Sequence, residues 1–259
     1  MKTIILVNDY AKDTAKLKGK FPDPLHALTT LDEDARLVSP DGVEAIFLKG
    51  VIPTTMHCRA YKLLKNVKEL PNNRPTAMGT ISLPLVVKKD GSPSLRSGAN
   101  ELVSRVSPAR YGILGWNKPH ERTRLTKKHP EMLNGNRALI ELADTLYAEN
   151  LGASYAKRCA LLTQSSCQLW GTAFVNAYVA RSFRTAYHRD GNLSGAKTAI
   201  TPLGNFSGGA LVLLRWRVAI PYQPGDIVIF NAEDLHGNLP FEGKRISLAL
   251  YVPRWVTIS

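Results

Sequence analysis

Cysteine is scarce in this chain. The three present, Cys58, Cys159 and Cys167, include no Cys-x-x-Cys pair, so neither a complete disulfide framework nor a thiolate zinc site can be drawn. A reducing compartment fits, with the thiols expected as small buried apolar groups. Long hydrophobic runs are also missing. Ile4-Ile5-Leu6-Val7 is shorter than the ~7 to 15 apolar residues of a signal-peptide core, and no segment approaches the ~18 that suggest a membrane span. Acidic residues are few: 21 Asp and Glu face 34 Lys and Arg, a net charge of +13 that favours a polyanionic partner. A mainly disordered chain is excluded by 44% hydrophobic residues. A soluble, intracellular, monomeric protein with no membrane role is expected.

What is present begins with the basic residues, which are dense in two segments. Arg59, Lys62, Lys65 and Lys68 stand beside Tyr61, Leu64 and Val67, the pattern of an amphipathic helix with a cationic face. Lys118, Arg122, Arg124, Lys127 and Lys128 lie in a stretch bracketed by Pro119 and Pro130, which reads as a loop. Either could simply be a solvated surface. From Asn136, a good N-cap, the stripe Leu139, Ile140, Leu142, Ala143, Leu146 and Tyr147 predicts a helix ending near Gly152, followed by a second over 153–164. Such stripes are core. Trp116, Trp170 and Trp216 are likewise expected to pack. Residues 1–95 read as an N-terminal extension, either a subdomain or a β-rich flap, with a polar linker from Ser92 to Gly98.

The chemistry is concentrated near the C-terminus, in His188-Arg189-Asp190 and His236. On a strand, i and i+2 share a face, so Arg184, Ala186, His188 and Asp190 would point together. The 47 residues between His188 and His236 hold short β-rich runs at 196–200, 209–214 and 226–230, bounded by Asn205, Gly208 and Pro224-Gly225. That rhythm suits a double-stranded β-helix of jelly-roll or cupin kind. Two histidines and a carboxylate match the ligand set of non-haem Fe(II) oxygenases, although His-x-Asp also arises by chance. In Arg245-Ile246-Ser247-Leu248-Ala249-Leu250-Tyr251-Val252, alternation puts Arg245 and Ser247 on one face and the aliphatic residues on the other. An arginine facing a barrel interior needs an anion, and the distal carboxylate of 2-oxoglutarate is the obvious candidate.

Gly171 to Asn176, Arg184 to Asp190, Phe206-Ser207-Gly208-Gly209, Pro224-Gly225-Asp226, His236-Gly237-Asn238-Leu239-Pro240 and Arg245-Ile246-Ser247 together resemble the TET/JBP family of 2-oxoglutarate-dependent nucleic-acid base dioxygenases, in its compact phage and microbial style. The likeness is strongest over about 165 to 255, and Tyr111-Gly112 through Glu131 is similar to the family's helical lead-in. It implies an α+β chain whose dioxygenase domain spans 96–259, with a helical lead-in over 96–165 and a β-helix core over 166–259. It further implies Fe(II) held by His188, Asp190 and His236, with 2-oxoglutarate and O2 as co-substrates. The keto acid would be gripped by Arg245 and Ser247, and Arg184 would be a further contact. The implied reaction hydroxylates the 5-methyl group of a pyrimidine in DNA, 5-methylcytosine foremost. The implied location is with DNA, in a prokaryotic or phage-infected cell or a nucleus.

One position departs from the family pattern. The polar residue expected three places after the metal aspartate is here Leu193, and a loop one residue shorter would give its base-reading role to Asn192, with Arg110 and Tyr111 as further substrate contacts. An amide both donates and accepts, so cytosine and thymine stay open. Other readings are an N-methyl-base demethylase, an oxygenase acting on a protein or small molecule, and a cupin-like binder without turnover. For a DNA substrate, the base would have to be extruded to reach a recessed metal.

Overall fold

The computed structural model describes residues 1–66, 86–87, 93–94, 110–163 and 165–256. The chain starts with β1 (Lys2–Ile5), α1 (Ala11–Thr14), β2 (Thr29–Thr30), β3 (Ala35–Ser39), β4 (Gly42–Leu48) and α2 (Thr54–Leu64). The short pair β5 (Val86–Val87) and β6 (Pro93–Ser94) precedes β7 (Arg110–Lys118) and β8 (Glu121–Arg122). Four helices follow: α3 (Arg124–Lys128), α4 (Pro130–Asn134), α5 (Arg137–Leu151) and α6 (Ala153–Thr163). The C-terminal part is β9 (Asn176–Arg181), β10 (Thr198–Gly208), β11 (Leu211–Leu213), β12 (Val218–Ile220), β13 (Ile227–Phe230), β14 (His236–Asn238) and β15 (Phe241–Tyr251).

Among the described residues, nine strands form the major sheet, in the order β1-β3-β4-β13-β10-β15-β9-β7-β8, and a smaller sheet runs β14-β11-β12-β2. With an isolated antiparallel bridge between His188 and His236, the C-terminal part supplies four positions to each sheet: β9, β15, β10 and β13 to one, His188, β14, β11 and β12 to the other. This is the double-stranded β-helix that the strand rhythm predicts. The fold is α+β. Strands β3 and β4 continue the major sheet, β4 pairing antiparallel with β13 through Ala45 and Phe230. The expected boundary at 95 and 96 lies outside the described residues, as do Lys68 and most of the linker.

Alternation decides what each strand buries. Along β15, Ile246, Leu248 and Leu250 join the cluster under the helices, while Ser247 and Ala249 face the interior cavity. On β9, Ala177 and Val179 pack outward and Tyr178 and Ala180 inward. The helical layer meets this face with Leu139, Ile140, Ala143 and Tyr147 of α5, and with Ala60 and Leu64 of α2. Burying an aliphatic side chain of this size is worth ~1.5 to 3 kcal/mol, so the alternating faces set the register firmly.

Two expectations change. The basic stretch at 118–128 is not a plain loop: it holds β8 and α3, because the Thr123 hydroxyl caps α3 by accepting from the Thr126 N–H at 3.3 Å. The amphipathic helix begins earlier than its charges suggest, at Thr54. Gly204 helps to seat it. At φ +110°, a Cβ there would lie 3.0 Å from the Tyr61 ring, so the missing side chain lets α2 approach β10.

Candidate metal centre and its cavity

The His188 N–H donates to the His236 carbonyl at 3.0 Å, and the His236 N–H returns the bond at 3.1 Å. The Asp190 N–H donates to Ala232 at 2.9 Å, a second point of attachment. Outside that bridge, residues 184–190 are irregular, which corrects the expected strand. Their backbone partners are scattered: Tyr187 donates to Lys20, while Thr185 accepts from Asn238, so no continuous ladder can form.

One candidate ligand atom from each of His188, Asp190 and His236 lies within 4.8 Å of the others. Nε2 of His188 is 3.5 Å from Oδ1 of Asp190, and Nε2 of His236 is 3.9 Å from Oδ2. The opposite ring nitrogens face carbonyls, Nδ1 of His188 at 2.8 Å from Ala186 O and Nδ1 of His236 at 2.9 Å from Asp234 O. A carbonyl can only accept, so each Nδ1 carries a proton, and each Nε2 is the ring atom turned to the carboxylate, where a metal would be held. That tautomer is the one a metal requires, and two neutral imidazoles with one anion suit Fe(II).

The turn supporting His236 is clamped by two arginines. Arg189 donates to the Glu233 carbonyl at 2.6 Å and stands 3.6 Å from the Asp234 carboxylate. Arg215 reaches the other Asp234 oxygen at 3.4 Å and Asp9 at 2.8 Å. Its hydrogen bond holds the Asp9 carboxyl below the usual range and raises its own guanidinium in turn. Neither arginine was singled out from the sequence. The only signal was the position of Arg189 between two ligands.

The cavity over the cluster is mainly apolar, with Tyr178, Phe183, Ile200, Leu211 and Phe230 in its wall. Thr185, Thr198, Asn238 and Ser247 supply the polar points. Arg245, 1% exposed, lies two residues before the cavity-lining Ser247 on β15 and is itself among the residues of a second cavity. Its Nη1 donates to Gly209 O at 3.0 Å, its Nη2 donates to the Tyr222 hydroxyl, and Phe206, Tyr222 and Phe241 surround its guanidinium. Gly209, at φ +74°, is obligatory here, since a Cβ would lie 2.6 Å from Nη1. Among the described residues the Arg245 Nε has no hydrogen-bond partner and no carboxylate pairs with the charge. A buried cation in that state is a seat for an anion.

The other expected residues are placed differently. Arg184 does not line the cavity: it donates to the Asn238 and Pro22 carbonyls at 3.3 and 2.9 Å and stacks over Phe21, tying the N-terminal segment to β14. Burial pushes its pKa down. Asn192 is buried and donates to the Thr198 hydroxyl at 2.8 Å, so its amide serves a cavity-lining threonine and does not itself line the wall. Leu193 packs on the cluster of Leu162, Cys167 and Val175. Tyr111 sits behind the wall, against Tyr178 and Phe183. The Arg110 backbone pairs with Arg181, while its side chain lies outside the described residues. Trp116, Trp170 and Trp216 pack beside Arg122, Arg137 and Arg215, and none lines the cavity.

Two histidines and a carboxylate grouped on a double-stranded β-helix are the side-chain set of the non-haem iron oxygenases. The chain belongs to the Tet_JBP family, the oxygenase domain of the 2OGFeDO superfamily, which it matches over residues 114–254. That superfamily uses Fe(II), 2-oxoglutarate and O2. The chain is 29% identical over 238 residues to the bifunctional helicase and thymine dioxygenase JBP2 of Trypanosoma brucei brucei, covering 85% of this chain and 20% of that protein. It is 24% identical over 177 residues to the thymine dioxygenase JBP1 of Crithidia fasciculata, covering 68% of this chain and 22% of that protein. The chain thus spans about a fifth of the length of these curated relatives. Among solved structures, NgTET1 in complex with 5mC DNA shares the fold at a TM-score of 0.60 and 11% identity, over 100% of this chain and 84% of that one.

Proposed function

We propose that this chain hydroxylates the 5-methyl group of a pyrimidine in DNA, with His188, Asp190 and His236 holding Fe(II) and Arg245 with Ser247 seating the distal carboxylate of 2-oxoglutarate. The observation that carries this reading is the His188, Asp190 and His236 group beneath an apolar cavity, with the buried Arg245 two residues from the cavity-lining Ser247. Bound Fe(II), 2-oxoglutarate and O2 supply the oxidising equivalents for hydroxylating a C–H bond. The protein's own part is positional. The Ala186 and Asp234 carbonyls fix both imidazoles, and the Tyr222 hydroxyl and Gly209 carbonyl aim Arg245. Phe230, edge-on to the His236 ring at 5.0 Å, and Leu211 keep water from the centre and offer an apolar surface to a methyl group. A methyl group inside stacked duplex cannot reach this recess, so the base is extruded.

The base expected from the sequence is 5-methylcytosine. The curated relatives named as thymine dioxygenases favour a second substrate, thymine, which carries the same methyl group. The test is mass spectrometry of nucleosides from DNA containing 5-methylcytosine, thymine or N6-methyladenine after incubation with the chain, Fe(II) and 2-oxoglutarate. A 5-hydroxymethyl product from either pyrimidine is expected. Succinate release with every base unchanged would overturn the DNA reading.

A further inference from the structure

A second cavity, of about 340 Å³, opens where α2 meets the ends of β9 and β15, and its lining includes Lys65, Arg181, Lys244 and the buried Arg245. No carboxylate of the described residues lines it. Three sequence-distant segments bring these cations together. Lys65 follows α2. Arg181 ends β9 opposite Ile246, and Lys244 shares that face of β15, two residues before Ile246. The assembly is held in place: Arg181 donates to the Lys65 carbonyl, closing the end of α2, and Tyr61 of the lining rests against Gly204. Lys65 and Lys244 are exposed, and neither forms an ion pair with a described residue.

Its place relative to the metal cavity matters. Ala180 and Phe183 line the metal cavity, while Arg181 and Ser182, the two residues between them, line this one. Both cavities therefore reach the same end of β9. A nucleic-acid strand whose base enters the first passes this end, where the cations stand. We infer that the cavity lined by Lys65, Arg181 and Lys244 holds a backbone phosphate of the DNA strand whose base occupies the metal cavity. The inference rests on the DNA reading above. Such contacts position a strand without reading its sequence.

The experiment measures duplex DNA affinity against salt concentration for the full chain, the double variant Lys65→Gln/Lys244→Gln, and a control of equal net charge, Lys12→Gln/Lys157→Gln. Each neutralised phosphate contributes ~0.9 to the slope of log affinity against log salt, so losing the one held here lowers the slope by about 0.9 and weakens binding roughly 5-fold at about 0.15 M salt. The control is expected to keep most of the native slope. A steep native slope that the Lys65/Lys244 variant retains overturns the phosphate site and leaves the DNA reading standing. No binding by the native chain overturns both. A fall in 2-oxoglutarate affinity in the Lys65/Lys244 variant, read by calorimetry, assigns the cavity to the keto acid and overturns the phosphate site.

Discussion

His188 and His236 exchange both backbone hydrogen bonds, at 3.0 and 3.1 Å, and their rings stand with centroids 4.3 Å apart. Each imidazole is then turned by a carbonyl two residues before it, Ala186 or Asp234, so strand pairing sets where the rings leave the backbone and local hydrogen bonds set their rotation. Asp190, attached to Ala232, completes the group from the same crossing.

Asp190→Ala removes the only anionic donor of the group. Turnover should fall to background, and Fe(II) affinity should drop beyond the roughly 10- to 100-fold that an outer-shell change costs. The apolar faces are untouched, so thermal unfolding should move little. His236→Ala should behave alike. Near-native hydroxylation by either variant would remove the metal assignment.

Arg245→Lys keeps a charge but loses the fork that reaches Gly209 and Tyr222 together. Hydrogen bonds to charged groups are worth ~1.5 to 3 kcal/mol, so 2-oxoglutarate affinity should fall about tenfold or more, as read by calorimetric titration. Tyr222→Phe removes one partner of the same guanidinium and should lower stability by a similar ~1.5 to 3 kcal/mol. Keto-acid binding left intact in Arg245→Lys would place the co-substrate elsewhere.

Asn192→Ala takes away the donor to Thr198 and should cost about 1 kcal/mol in denaturant unfolding, the usual worth of a buried hydrogen bond. The ratio of products from 5-methylcytosine and thymine should stay as in the native chain, because the amide is turned onto Thr198. A shifted ratio with unchanged stability would return Asn192 to base reading.

Arg215→Met should loosen the Asp234 turn, with Fe(II) affinity lower by about tenfold. It also removes the partner that depresses the Asp9 carboxyl. A depressed carboxyl stabilises the native state above its unfolded pKa of about 3.9 and loses that contribution as pH falls through the folded value. Asp9 is largely exposed, so the effect is small. The native advantage over the variant in thermal midpoint should be full near neutrality and shrink below about pH 4. A gap that stays constant through that window would show that the pair contributes nothing.

Much of the site is local information and could be read directly. Alternation in β15 marks which side chains enter the cavity, because strand geometry enforces period two. The apolar stripe of α5 marks a buttress, because burying it requires a partner layer. The i, i+2 spacing of His188 and Asp190 brought them together even without the expected strand, since an extended segment tied at two backbone points serves as well.

What the sequence by itself determined is the identity of the groups that could bind a metal and an anion, and the faces of the strands that carry them. Tertiary structure alone decided their partners. Arg184 went to Pro22 and Asn192 to Thr198, Arg245 met Tyr222 and Gly209, and Lys65, Arg181 and Lys244 converged from three separate segments. Spacing along a chain encodes which side of an element a residue occupies. Which element arrives opposite depends on long-range pairing and close packing, and no local periodicity records that.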